Sequence, residues 1–160
     1  MRIAVAGGTG VVGRHAVEAA RAAGHEVVVL SRSSGADVLT GAGLDERMQG
    51  ADAVIDVTNT TTLSAAKAVK FFETATRNLL AAESRAGVTH HVALSIVGID
   101  GIDASYYAGK LAQERAVAAG SVPFTIARAG QFHEFAGQLL SRMSGPVAVL
   151  PKLLLSLIHI

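Results

Sequence analysis

Four apolar residues, Ile3-Ala4-Val5-Ala6, open the chain between Arg2 and a glycine cluster, and later apolar runs alternate with longer amphipathic stretches. Glu26–Leu30 (EVVVL), residues 51–57 (ADAVIDV), residues 91–95 (HVALS) and residues 122–128 (VPFTIAR) are short, rich in β-branched residues and apolar at successive positions. A strand with one wet face would alternate, so this texture predicts strands buried on both faces. Pro123, at the start of the last run, falls where a missing N–H donor is tolerated. Residues 36–39 (ADVL) read as one more short strand. Helices are predicted between the runs. Residues 11–23 put Val12, Ala16, Ala19, Ala20 and Ala23 on one face and stop at Gly24; Leu44–Met48 is a helical turn. Residues 64–86 carry Ala68, Phe72, Ala75, Leu79 and Ala82 on an inner stripe, and residues 105–119 stop at Gly120. Phe132, Phe135 and Leu139 mark a further helix, and residues 147–150 start another strand. The alternation predicts an α/β fold: a Rossmann-like doubly wound parallel sheet in a three-layer αβα sandwich.

Composition fits that picture and removes several classes of function. At 160 residues, half of them hydrophobic and only 17% charged, the chain makes one domain with a sizeable core. The net charge of +1 comes without a basic cluster, which argues against nucleic acid and anionic membranes as partners. No cysteine is present, so neither a disulfide framework nor a thiolate metal site is expected. His90 and His91 are adjacent on a strand and point to opposite faces, which makes them strand-edge residues rather than metal ligands. The N-terminus does not read as a signal peptide, and no apolar run approaches the ~20 residues that span a bilayer. A cytoplasmic protein without a membrane segment is the expectation. The pattern carries no signal of oligomeric state.

The chemistry starts where the first strand ends. Gly7-Gly8-Thr9-Gly10-Val11-Val12-Gly13 joins a buried strand to a helix N-terminus, the arrangement that cradles a dinucleotide pyrophosphate. About 20 residues further on, an NAD-preferring fold places an acidic residue for the ribose 2′-OH. Here the sequence has Ser31-Arg32-Ser33-Ser34 instead. A guanidinium with flanking hydroxyls suits a 2′-phosphate, so the expected cofactor is NADP. Thr58 and Asn59 follow the 51–57 run at a carboxyl edge of the sheet, where ligands of open α/β sheets bind. Tyr106-Tyr107-Ala108-Gly109-Lys110 contains Y-x-x-x-K, and positions i and i+4 share a helix face. An ammonium beside the Tyr106 phenol would lower its pKa and make it a usable general acid, and Ser95 could add a hydrogen bond to the reacting oxygen.

These motifs, GGTGVVGR, LSR, LSIVG, YYAGKLAQE and IARAGQFHEF in that order, resemble the atypical short-chain dehydrogenase/reductases, and among them the NAD(P)-binding, NmrA-like branch. The resemblance implies a Rossmann domain over residues 1–150. It implies that Gly7, Thr9, Gly10, Val11, Val12 and Gly13 hold the pyrophosphate and Arg32, beside Ser31, the 2′-phosphate. Asp37 and Val38 would flank the adenine, with Thr58, Asn59 and Lys110 at the nicotinamide-side ribose. Gln131 and Phe132 would lie beside the nicotinamide and substrate, and Ser95, Tyr106 and Lys110 would be catalytic. The implied activity is hydride transfer between NADPH and a small carbonyl-type substrate. Some relatives are instead non-catalytic NADP-binding redox-sensing regulators. Two positions depart from the pattern. Phe72 stands where extended members carry a proton-relaying asparagine, and Gly109 replaces a larger residue, which should loosen that helix by ~1 kcal/mol. Residues 151–160 read as a tail. Its end, LSLIHI, matches an in-frame translation of a transposase mosaic-end adapter (CTG TCT CTT ATA CAC ATC), so truncation before Leu155 is expected. A sugar-nucleotide epimerase would need a sizeable C-terminal domain.

Overall fold

The computed structural model describes residues 1–130. Strands and helices alternate as β1 (Arg2–Ala6), α1 (Val11–Ala22), β2 (Glu26–Leu30), a 3-10 turn (Arg32–Ser34), α2 (Leu44–Met48), β3 (Ala53–Asp56), α3 (Ala65–Ala86), β4 (His90–Ile96), α4 (Ser105–Ala118) and β5 (Phe124–Ala129). The five strands form a parallel sheet in the order β2-β1-β3-β4-β5. In the centre, Val5 lies between Val29 of β2 and Ile55 of β3. The pleat sends alternate residues of β1 to opposite layers. Ala4 and Ala6 pack with Leu30 and Val54 against Leu44 and Met48 of α2 and Leu79 and Ala82 of α3. Ile3 and Val5 pack against Val17 and Ala20 of α1. Helices on both faces make the Rossmann-like α/β sandwich that the alternation predicts. No helix among the described residues is long and apolar enough to cross a membrane.

Three expectations are corrected. The last strand is not buried on both faces: β5 ends the strand order, with Phe124, Thr125, Ala127 and Arg128 exposed. Residues 36–39 form a loop, not a strand. The Asp37 carboxylate accepts the Leu39 amide at 2.8 Å, and the Asp37 amide donates to the Ala42 carbonyl. Asn78 of α3 donates to the carbonyls of both Val38 and Leu39, each at 2.9 Å. With its backbone satisfied locally and by Asn78, this segment gains nothing by joining the sheet. The inner side of α1 is also rotated from the predicted one. Gly13, Val17 and Ala20 are buried, whereas Ala19 and Ala23 are exposed. Alanine at so many positions left the phase to the one larger residue, Val17. On α3, all five residues of the predicted stripe are buried. The predicted helix at Phe132, Phe135 and Leu139, the strand at 147–150 and the tail lie outside the described residues.

Candidate active site

The first wall of the site is the β1–α1 turn. Gly7 has φ +78°, a left-handed conformation that favours glycine, and its carbonyl accepts the Gly10 amide at 2.9 Å. A Cβ on Gly13 would overlap the Gly7 carbonyl oxygen, so the helix can pass this close only without a side chain there. Gly10 is the N-cap of α1, and no side chain caps the helix. The first backbone N–H groups of α1 are therefore left for something else, and the helix dipole favours an anion.

A cavity of about 330 Å³ lies in front of this turn. Gly7, Thr9 and Gly10 line it from the turn; Leu30, Ser31 and Arg32 from the end of β2; residues 36–39 from the loop; and Val57, Thr58 and Asn59 from the end of β3. Phe71 of α3 closes one side. The Ser31 hydroxyl accepts the Ser34 amide at 3.3 Å and so fixes the turn that carries Arg32, itself exposed at the rim. Thr58 is buried, and its hydroxyl has no hydrogen-bond partner in the structure. A buried hydroxyl at a cavity wall without a partner is a polar group available to a ligand.

The second part of the site lies between β4, α3 and α4. Tyr106 is half-buried, its ring edge-on to Phe72 with centroids 5.6 Å apart. Lys110 is buried, and its hydrogen bonds among the described residues go elsewhere than to the phenol. Its Nζ donates to the Leu94 carbonyl at 3.0 Å and to Gln113 Oε1 at 2.8 Å, and lies 4.3 Å from the centre of the Phe72 ring. Burial pulls the Lys110 pKa down to about 8 against the raising charges of Asp56 and Glu114. Burial also pushes the Tyr106 phenol up, with Asp56 and Tyr107 adding to the rise. The expectation that Lys110 lowers the Tyr106 pKa is therefore corrected: desolvation dominates the phenol, and the ammonium is engaged elsewhere. Tyr107 is exposed.

Ser95 is buried at the end of β4, and its hydroxyl donates to Glu114. Arg128 of β5 donates to Glu114 at 2.7 Å and, with its other nitrogen, to Asp100 at 2.7 Å. The serine is thus part of a network tying β4, α4, β5 and the loop before α4 together. Arg128 holds the Glu114 carboxyl below its usual range despite burial, with Ser95 adding to the effect.

Sequence reasoning placed Gly7, Thr9, Gly10, Ser31, Arg32, Asp37, Val38, Thr58 and Asn59, and the structure brings them to one cavity. Val11, Val12 and Gly13 begin α1 behind it. Gln131 and Phe132 lie outside the described residues. The sequence reading missed Asp56, Gln113, Glu114, Phe71 and Arg128. A signal existed for two of them. Asp56 is an acid inside an apolar strand run, and Gln113 stands three residues after Lys110 on the same helix face.

A search of curated proteins finds no match. Among solved structures, a short-chain dehydrogenase/reductase superfamily protein from Agrobacterium tumefaciens with bound NAD is 24% identical with TM-score 0.64, over 80% of this chain and 48% of that one. UDP-N-acetylglucosamine 4-epimerase from Bacillus cereus is 23% identical with TM-score 0.67, over 80% and 53%. A putative NAD-dependent epimerase/dehydratase from Bacillus halodurans is 20% identical with TM-score 0.68, over 81% and 70%. The chain spans about half the length of the first two, and the likeness is one of fold. The sequence model of the NAD dependent epimerase/dehydratase family matches residues 3–131. Glycine turn, parallel sheet and sequence match agree: the chain belongs to the NAD-dependent epimerase/dehydratase family.

Proposed function

We propose that the cavity at the carboxyl ends of β1, β2 and β3 holds NADP(H), and that the whole protein reduces a small carbonyl-type substrate. The observation that carries this reading is the convergence of separate stretches, around Gly7, Arg32, Asp37 and Thr58, on one cavity. The residues fit a dinucleotide: α1 begins uncapped, Gly13 leaves no room for a Cβ, and the buried Thr58 hydroxyl has no protein partner. Backbone amides of Gly7 to Gly13 would hold the pyrophosphate beside Thr9, Val11 and Val12. Arg32, beside Ser31, would hold the 2′-phosphate through its planar fork, with Asp37 and Val38 along the adenine. Thr58, Asn59 and Lys110 would take the nicotinamide-side ribose. When bound, the nicotinamide supplies the hydride. Tyr106 supplies the proton to the carbonyl oxygen from a phenol that stays protonated at neutral pH, and solvent restores it.

A second reading, a non-catalytic NADP-binding redox-sensing regulator, is favoured by one observation. Among the described residues, the hydrogen bonds of the Lys110 ammonium go to Leu94 and Gln113 rather than to the Tyr106 phenol.

Titration of NADPH and NADH against the wild type and Arg32→Ala tests the cofactor. Wild type should prefer NADPH, and Arg32→Ala should lose about 10-fold or more of NADPH affinity while NADH binding stays unchanged. Equal wild-type affinities would refute the Arg32 assignment. NADPH oxidation against a panel of carbonyl compounds separates the two readings. A fall of about 100-fold or more in Tyr106→Phe supports the reductase, whereas tight NADPH binding with no turnover supports the regulator.

A further inference from the structure

Asp56, Gln113 and Lys110 form a buried chain that the cofactor reading leaves unexplained; none is more than 3% exposed. Asp56 Oδ1 accepts the Thr58 amide at 2.9 Å, and Oδ2 accepts Gln113 Nε2 at 2.8 Å. Gln113 Oε1 in turn accepts Lys110 Nζ at 2.8 Å. The two ends of a glutamine amide have nearly the same shape, so chemistry decides which end points where. A carboxylate can only accept and an ammonium can only donate. The Gln113 NH₂ must therefore face Asp56, and its carbonyl oxygen must face Lys110. Turned round, the amide would set acceptor against acceptor and donor against donor in a space closed to water.

We propose that Asp56, acting through the Gln113 amide, positions the Lys110 ammonium at the active site. The charge on β3 orients the amide, and the amide holds the lysine against the Leu94 carbonyl and the Phe72 ring. This rests on the reading of Lys110 as a residue of the cofactor site; Asp56 and Gln113 are positioning residues, because they act through it.

The charged and titratable groups around Lys110 come from every neighbouring element. Asp56 faces it from β3, Glu114 acts on it from its own helix, and Arg128 of β5 is paired with Glu114. Tyr106 lies one turn away on α4 and feels Asp56, as does His91 of β4, which is paired with Glu83 of α3. Loss of the Asp56 charge acts twice in one direction. It removes an attraction, and it frees the amide to turn its NH₂ toward the ammonium.

The experiment is an NMR pH titration of protein labelled with ¹³C-lysine, without dinucleotide. The sequence holds four lysines, at 67, 70, 110 and 152, and Lys110→Met identifies the resonance. In the wild type, Lys110 should titrate near 8, below Lys67 and Lys70. In Asp56→Asn, and independently in Gln113→Met, its midpoint should fall by about one unit, a tenfold change in the ratio of neutral to charged amine. Lys67 and Lys70 should not move. An unchanged Lys110 midpoint in either folded variant overturns the proposal. Should neither variant fold, the wild-type Gln113 side-chain amide decides: Nε2 protons exchanging as fast as those of the exposed Gln49 overturn the proposal. Because no cofactor is present, these shifts in a chain that fails to bind NADPH would sink the cofactor reading and leave the positioning device standing.

Discussion

One absent methyl group sets how closely α3 and α4 pack. A Cβ on Gly109 would lie 2.7 Å from both the Ala68 Cβ and Phe72 Cδ2. Propensity alone says that this glycine loosens its helix by ~1 kcal/mol, yet its place is the seam between two helices. Gly109→Ala would regain helix propensity and overpack the seam. The net should be a loss of about 1–3 kcal/mol, read as a lower thermal midpoint; a midpoint at or above wild type would show that the seam can yield. The same clash bears on Phe72, whose ring meets both Lys110 and Tyr106. The place of Gly7, Gly10 and Arg32 around one cavity, and of Gly13 against the Gly7 carbonyl, was legible in the sequence. The packing role of Gly109 was not, because what it meets is on another helix.

Among elements, the strands were the most legible, because continuous apolar β-branched runs have few other places to go. The exception at residues 36–39 shows where pattern gives way to hydrogen bonding. Asp37 makes its own turn, and Asn78, forty residues later in the chain, fastens the next two carbonyls. That loop is a wall of the cavity. Asn78→Ala should cost about 1–2 kcal/mol of stability from the lost hydrogen bonds. It should also speed amide exchange across residues 37–42 and weaken NADPH binding several-fold. Unchanged exchange in this loop would show that Asp37 alone holds it. The phase of α1 was illegible for a different reason. Alanines fit either face of a helix, and only Val17 chose the buried one.

At the scale of the whole molecule, one buried titratable group among the described residues is one the sequence reading treated as a strand-edge residue. His91 is fully buried, with Nδ1 2.8 Å from Glu83 Oε1. Burial alone would lower its pKa, but the Glu83 hydrogen bond and charge, with Asp56 beyond, hold it above the ordinary value. A histidine pKa raised on folding gives stability that is fully present below the unfolded value of about 6.5 and is lost as pH rises through the folded one. Denaturant unfolding from about pH 5.5 to about pH 7.5, below the range in which Lys110 titrates, should therefore show the wild type losing stability toward the upper end. In Glu83→Gln, burial acts with less opposition, and the slope should shrink or reverse. Parallel curves for the two proteins would show that the pair stays neutral throughout.

The amide between Asp56 and Lys110 has a consequence for how such a chain can change over generations. Asp56 and Gln113 are 57 residues apart and joined by a buried hydrogen bond. Asp56→Asn alone keeps the volume and removes the reason for the amide's orientation; a leucine at 113 alone strands a carboxylate in the core. A change at either position should therefore cost less when the other changes with it, which a double-mutant cycle would read as coupling between positions 56 and 113.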